Sequence, residues 1–213
     1  MASITIIDYG MGNLHSIAKA LEHVAGRDRV RVSSEHAAIL ASDRVVFPGV
    51  GAIRDCMSEL QRTGLDRVIR EVAGSKPLLC VCLGMQALLD SSDENQGVRC
   101  LGIIPGKVSR FPPDIQVDGE RLKIPHMGWN QVRQQRDHPM WQNIRTNRRF
   151  YFVHSYYAQP LVEHDISATT PYGIEFASVI ARDNVFAVQF HPEKSQQAGL
   201  SLLANFVGWN GES

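Results

Sequence analysis

The chain has 213 residues, enough to bury a large core within the size a single α/β domain fills, and one domain over 1–213 is expected. Twenty-two Lys+Arg balance twenty-two Asp+Glu, so no long-range field draws the chain to nucleic acid or to an acidic membrane surface. The longest nearly unbroken apolar run, Pro77 to Leu89, is too short to span a bilayer, and the first residues lack a basic region and a cleavage site.

Ser3 to Asp8 reads as a buried strand. It passes through Tyr9-Gly10-Met11-Gly12 into a helical pattern of Leu14, Ile17, Ala18, Leu21 and Ala25, with Asn13 as N-cap and Gly26 as stop. A strand at Arg29 to Ser33, an Ala-rich helical stretch, a strand at Arg44 to Phe47 and helices between Ala52 and Ala73 follow. Pro77 to Val81 is a further strand, and Leu83 to Asp90 continues from it as a helix without a loop. Beyond Lys107 strands dominate: Lys107 to Phe111, Leu122 to Val132, Phe150 to Tyr157, Ile166 to Thr170, Ile174 to Ile180 and Val185 to Phe190. A helix from Gln196 to Trp209 ends the pattern. Alternating strands and helices predict a three-layer α/β/α fold. Its sheet is doubly wound and mainly parallel, with antiparallel additions in the C-terminal half.

Four cysteines include Cys80 and Cys82, one residue apart in a strand, where disulfide geometry is poorly met. A reducing, cytoplasmic compartment is expected. Cys82 lies at the strand-to-helix junction Cys80-Val81-Cys82-Leu83-Gly84, a nucleophile elbow apart from its first glycine position. Such a turn lifts the side chain out of the sheet, and the positive end of the following helix favours a thiolate. An inert core thiol is the alternative, since free Cys is usually buried. His191 follows the strand Val185 to Phe190 and emerges at its carboxyl end, where open α/β sheets hold their sites. A thiol needs a base, and the base needs an orienting group; Glu193, beyond the stiff Pro192, is of the right type. Pro48-Gly49-Val50-Gly51 follows another strand, and its glycines free backbone N–H groups to meet an oxyanion. An ordinary tight βα turn would look the same.

In this order, Cys82-Leu83-Gly84-Met85-Gln86 and His191-Pro192-Glu193 resemble the class I (triad-type) glutamine amidotransferases. Ile7-Asp8-Tyr9-Gly10-Met11-Gly12-Asn13-Leu14, Phe47-Pro48-Gly49-Val50-Gly51, Pro125-His126-Met127-Gly128-Trp129-Asn130 and Tyr151-Phe152-Val153-His154-Ser155-Tyr156 extend the likeness over essentially the whole chain. They direct it to the glutaminase subunits of imidazole glycerol phosphate synthase. The resemblance implies that Cys82 attacks the glutamine carboxamide, that His191 shuttles the proton to departing ammonia, and that Glu193 orients His191. It further implies an oxyanion hole from Val50, Gly51 and Leu83, and a glutamine pocket including Gly51, Gln86, Ser155 and Tyr156. A HisF-type (β/α)8 cyclase partner is implied on the side of Asn13, Trp129 and Lys194. No cofactor and no metal are implied.

Residue type alone would make Gln86 an ordinary helix residue, Ser155 and Tyr156 a strand end, and Trp129 a core aromatic. The family usually has Gly at position 80. Strand periodicity puts Cys80 on the side of Cys82, where crowding or thiol competition is expected to be tolerated. Three other readings remain at this point: a stand-alone cysteine hydrolase, a zinc module built on Cys80, Cys82 and a histidine, and the same glutaminase chemistry feeding a sugar-amidating enzyme. An oxyanion donor near Val50 is expected to be misaligned in the isolated protein.

Overall fold

The computed structural model describes residues 2–26, 29–117 and 119–212. Met1, Arg27, Asp28, Asp118 and Ser213, which the expected single domain includes, lie outside the described residues.

The elements, in order, are β1 (Ile4–Ile7), α1 (Leu14–Ala25), β2 (Val30–Ser33), α2 (His36–Leu40), β3 (Arg44–Gly49), α3 (Ile53–Thr63), α4 (Leu65–Ala73), β4 (Leu78–Cys82) and α5 (Leu83–Ala87). Then come β5 (Ser91–Ser92), β6 (Val98–Arg99), β7 (Gly106–Arg110), β8 (Gln116–Val117), β9 (Glu120–Arg121), β10 (His126–Gln134), β11 (Arg148–His154), β12 (Tyr156–Pro160), β13 (Ile166–Pro171), β14 (Glu175–Arg182), β15 (Val185–Val188) and α6 (Gln196–Gly208).

The main sheet runs β2-β1-β3-β4-β15-β14-β12-β7-β5-β6. The first five strands are mutually parallel. From β14 onward the additions are antiparallel except for the short β5–β7 pairing. The central strands are buried along their whole length because helices cover both faces, so they read as continuous apolar runs. In β4, Leu79 and Val81 pack with Ile17 and Leu21 of α1 and Leu202 and Phe206 of α6. Leu78 and Cys80 face the other way, toward Leu60 of α3 and Ile69 of α4. These two cores make the three layers, and the expected architecture stands.

Several boundaries differ. Asn13 occupies the N-cap of α1, but its Oδ1 accepts from Ser16 Oγ (3.0 Å) rather than from a helix N–H. The helix after Cys82 stops at Ala87 instead of Asp90, because the carbonyls of Ala87, Leu88 and Leu89 accept from the N–H groups of Leu101, Ile103 and Gly102. The strand expected from Leu122 begins at His126. The expected strand Phe150 to Tyr157 is two strands: β11 pairs with β10, and β12 pairs with β7 and β14. The change of partner falls at Ser155, whose carbonyl accepts from Phe111 N–H (3.1 Å).

All four cysteines are free and buried. Among the described residues no helix is long and apolar enough to cross a membrane.

Candidate active site

Three neighbouring parallel strands, β3, β4 and β15, end side by side, with Gly49 in register with Cys82 and Val81 with Val188. Their carboxyl ends carry the glycine loop, the cysteine and the histidine respectively. Cys82 adopts φ 54°, ψ −110°, a conformation that costs a non-glycine residue about 1–3 kcal/mol and persists only where surrounding packing enforces it. Here the enforcement is close backbone packing. A Cβ on Gly84 would sit 2.2 Å from the Phe47 carbonyl oxygen, and one on Gly49 would sit 2.8 Å from Gly84 N. Only hydrogens at both positions let the start of α5 ride on the end of β3.

The elbow also corrects the expected crowding by Cys80. Past the positive φ, Cys82 belongs to the same core cluster as Val81 and borders the cavity, whereas Cys80 belongs to the cluster on the other face with Phe47 and Leu78. Burial pushes the Cys80 thiol well above its ordinary pKa, so it stays protonated and does not compete. Opposite faces also argue against one metal ion shared by the two sulfurs.

His191 is held from several sides. Its N–H donates to the Tyr151 carbonyl (2.9 Å), its carbonyl accepts from Ser195 Oγ (2.6 Å), and Ser195 Oγ accepts in turn from Tyr151 N–H (2.9 Å). Pro192–Lys194 form a tight 3-10 turn that brings Glu193 back onto the ring. His191 Nδ1 then lies 2.8 Å from Glu193 Oε1, both side chains almost fully buried at 3% and 4% exposure. Nε2 is buried without a hydrogen-bond partner, which leaves it available for proton transfer. Burial alone would lower the His191 pKa. Interaction with Cys82 and Glu193 outweighs it and raises the value to about 10.

A raised pKa means that protonation of His191 favours the folded state. That stabilisation is fully present below the unfolded value near 6.5 and is lost as pH climbs through the raised one. Glu193→Gln removes one source of the rise. The His191 titration followed by NMR should therefore move down in that variant, and an unchanged titration would detach Glu193 from the pair.

A cavity of about 330 Å³ opens beside these groups, lined by Val50, Gly51, Cys82, Leu83, Gln86, Ser155, Tyr156, His191 and Lys194, together with Glu94, Pro125, Val153 and His154. The expected nucleophile, base, oxyanion loop and pocket residues thus meet in one place, with Glu193 behind His191. Val50 is half-exposed and Gly51 has φ 95°. Asn13 and Trp129 do not line the cavity. Asn13 is exposed at the start of α1. Trp129 is 43% exposed, not the core aromatic its residue type would suggest, and meets the Tyr151 ring edge to face. Lys194 Nζ lies 5.9 Å from the centre of that ring.

Two residues of the site had no role assigned from sequence. Gln189, fully buried, points its Nε2 at Cys82 Sγ (3.7 Å) and accepts from Gln86 Nε2 (2.9 Å). β15 ends at Val188 rather than at the expected Phe190, so Gln189 and His191 both follow the strand, and their spacing of two along extended chain could have marked them as sharing a side. Gln86, whose amide nitrogen also donates to the Tyr156 carbonyl (3.0 Å), is a buried strut rather than an ordinary helix residue. His154 is the second, and its neighbourhood is taken up below.

The family model described as glutamine amidotransferase class-I matches residues 5–208. The imidazole glycerol phosphate synthase subunit HisH of Nitrosococcus oceani is 59% identical over 213 residues, covering 100% of both chains. Subunit HisH 1 of Pseudomonas aeruginosa is 56% identical over 211 residues, 99% of each. Among solved structures, the glutaminase domain of Trypanosoma brucei CTPS with bound acivicin superimposes with a TM-score of 0.66 at 18% identity, over 99% of this chain and 95% of that one, a likeness of fold. With a matching family model along almost its whole length and full-length relatives above half identity, the chain belongs to the class-I glutamine amidotransferases, in the group of the HisH subunits.

Proposed function

We propose that this chain, acting as one domain, is the glutaminase subunit of an imidazole glycerol phosphate synthase. It hydrolyses glutamine to glutamate and ammonia and passes the ammonia to a HisF-type (β/α)8 cyclase in histidine biosynthesis. The observation that carries the chemistry is the strained Cys82 at the end of β4, sharing a cavity with the His191–Glu193 pair. The HisH name of its full-length relatives supports the pathway.

In this reading the Cys82 thiol proton passes to His191 Nε2, the sulfur adds to the carboxamide carbon of glutamine, and the oxyanion is met by backbone N–H groups of Leu83 and the Val50–Gly51 loop. Leu83 suits the role as the first residue of α5, where a helix N–H has no intrahelical acceptor. His191 Nε2 gives its proton to the departing nitrogen, which leaves as ammonia, and a glutamyl thioester remains on Cys82. His191 then takes a proton from water, the hydroxide displaces the thiolate, and glutamate leaves. Glu193 holds the ring through Nδ1 throughout. Gly51, Gln86, Ser155 and Tyr156 bound the glutamine pocket. Asn13, Trp129 and Lys194 belong to the cyclase-facing side, where ammonia must leave unprotonated.

The test is a two-component assay. Purified chain alone should hydrolyse glutamine slowly, and adding the cyclase with its ligand should raise the rate at least about tenfold and yield imidazole glycerol phosphate from glutamine. Rapid hydrolysis without a partner, indifferent to the cyclase, would favour a stand-alone hydrolase. Failure to complement a histidine auxotroph would point to another ammonia acceptor.

A further inference from the structure

His154 of β11, part of the cavity lining, and His126 of β10, behind it, form a buried pair, 6% and 3% exposed, with His126 Nδ1 and His154 Nε2 3.0 Å apart. The bonds at the two ends of the pair determine which nitrogen carries each proton. His154 Nδ1 lies 2.7 Å from the Tyr156 carbonyl, which can only accept, so the His154 proton is on Nδ1 and its Nε2 accepts. His126 must then donate from Nδ1. Its Nε2 accepts from Asn130 Nδ2 (3.2 Å), whose second hydrogen goes to the Pro171 carbonyl (2.9 Å). Every bond points the same way, from Asn130 through both imidazoles to the Tyr156 carbonyl.

That carbonyl is also the acceptor for Gln86, whose other N–H holds Gln189, which donates to Cys82 Sγ. One polar path therefore joins the strand carrying exposed Met127 and Trp129 to the pocket wall and the sulfur. Rings pack around it: His126 lies against Tyr172 (3.9 Å between centroids) and Phe152 (4.8 Å), so its plane has little freedom.

We infer that His126 and His154 are positioning residues, a neutral relay with both protons on Nδ1, which fixes the Tyr156 carbonyl and with it the glutamine-binding wall of the cavity. This rests on the glutaminase reading. Burial supports it by lowering the pKa of His126 to about 4 and that of His154 to about 3, so neither ring is charged near neutrality. A charged His126 would still donate to His154, but a charged His154 would have no acceptor for its second proton on this path.

Two measurements on the full chain with its cyclase test the relay. Long-range 15N–1H NMR of the imidazoles at pH 7 should find both rings neutral and protonated on Nδ1. A proton on Nε2 of either ring would overturn the inference whatever the variants do. In kinetics, His126→Phe keeps the ring stack but strips the donor. It should raise the glutamine KM about tenfold, as expected for a buried hydrogen-bond acceptor left unpaired, with kcat within about threefold. His126→Asn, whose amide nitrogen can stand in for Nδ1, should restore KM to within about threefold of the parent. A merely structural role would reduce the yield of active enzyme at unchanged KM, and would not be rescued selectively by Asn. A parent that hydrolyses glutamine with both variants at parental KM overturns the relay alone. A parent that hydrolyses no glutamine, alone or with the cyclase, overturns the reading beneath it as well.

Discussion

Cys82→Ser should cut glutamine hydrolysis about a thousandfold or more, while Cys80→Ser retains most of the parental kcat. A hydroxyl in place of sulfur is a far poorer nucleophile, because His191 can convert little of it to the alkoxide. A thousandfold loss corresponds to about 4 kcal/mol of transition-state stabilisation. The two cysteines separate because the elbow sends their side chains to opposite faces of the sheet. Cys80→Ser has a different cost. It places a hydroxyl in a fully buried apolar cluster, worth about 1–3 kcal/mol of stability if unpaired, so its melting temperature should fall while its turnover holds. Rapid-quench detection of the glutamyl thioester checks the assignment directly. Full activity in Cys82→Ser, or a thioester carried by Cys80, would overturn it.

Gly199→Ala should disable the enzyme nearly as thoroughly without touching a reacting atom. In an exposed helix this change is favourable by roughly 1 kcal/mol. Here the new methyl would stand 1.8 Å from the Pro192 carbonyl oxygen and 2.7 Å from its carbon, both backbone atoms with no rotamer to yield. Overpacking of this kind costs typically about 1–3 kcal/mol, which outweighs the propensity gain. The segment forced to move is the turn that presents His191 to Cys82. Pro192 already accepts from Ser195 N–H (3.0 Å), and Ser195 in turn ties down His191, so displacement reaches the proposed base directly. We expect glutamine hydrolysis to fall at least about a hundredfold, since a misplacement of about 1 Å is enough for that. Melting temperature should drop by several degrees. Parental activity in Gly199→Ala would mean that α6 can shift away without moving His191 and Glu193.

The difference between these two predictions marks what the sequence discloses. Cys82 was legible because its signal is local: a strand, a turn and a helix within a few residues, with the glycine that the turn needs. His191, Glu193 and the glycine loop at the end of β3 had weaker local signals, a position at a strand's carboxyl end, and their expected roles came from the family resemblance. Gly199 carried no such signal, because its constraint is how closely α6 folds back on the turn just before it, which residue types alone do not show. The side on which Cys80 points was misjudged for a related reason. Alternation holds through Val81, and the positive φ of Cys82 breaks it at the next residue.

The β11–β12 boundary was hidden in a run of β-favouring aromatics, where only a change of hydrogen-bonding partners marks the end of one strand and the start of the next. The shortened α5 likewise depends on N–H groups from the 101–103 segment. The relay through His126 and His154 joins two strands whose register no local pattern specifies. Alternating strands and helices were enough to give the layers, because both faces of the central strands had to be covered.

The neighbour of β4 on its His191 side is β15, separated from it by about a hundred residues of chain. A ribosome making this protein therefore extrudes Cys82 long before His191, and the edge of β4 that β15 covers stays unpaired until β15 is made. The proposed Cys82–His191 pair cannot form in a half-made molecule. In the proposed glutaminase, activity therefore waits on the seating of the last strand of the parallel block, and a chain cut short before it would carry the cysteine without its proposed partner.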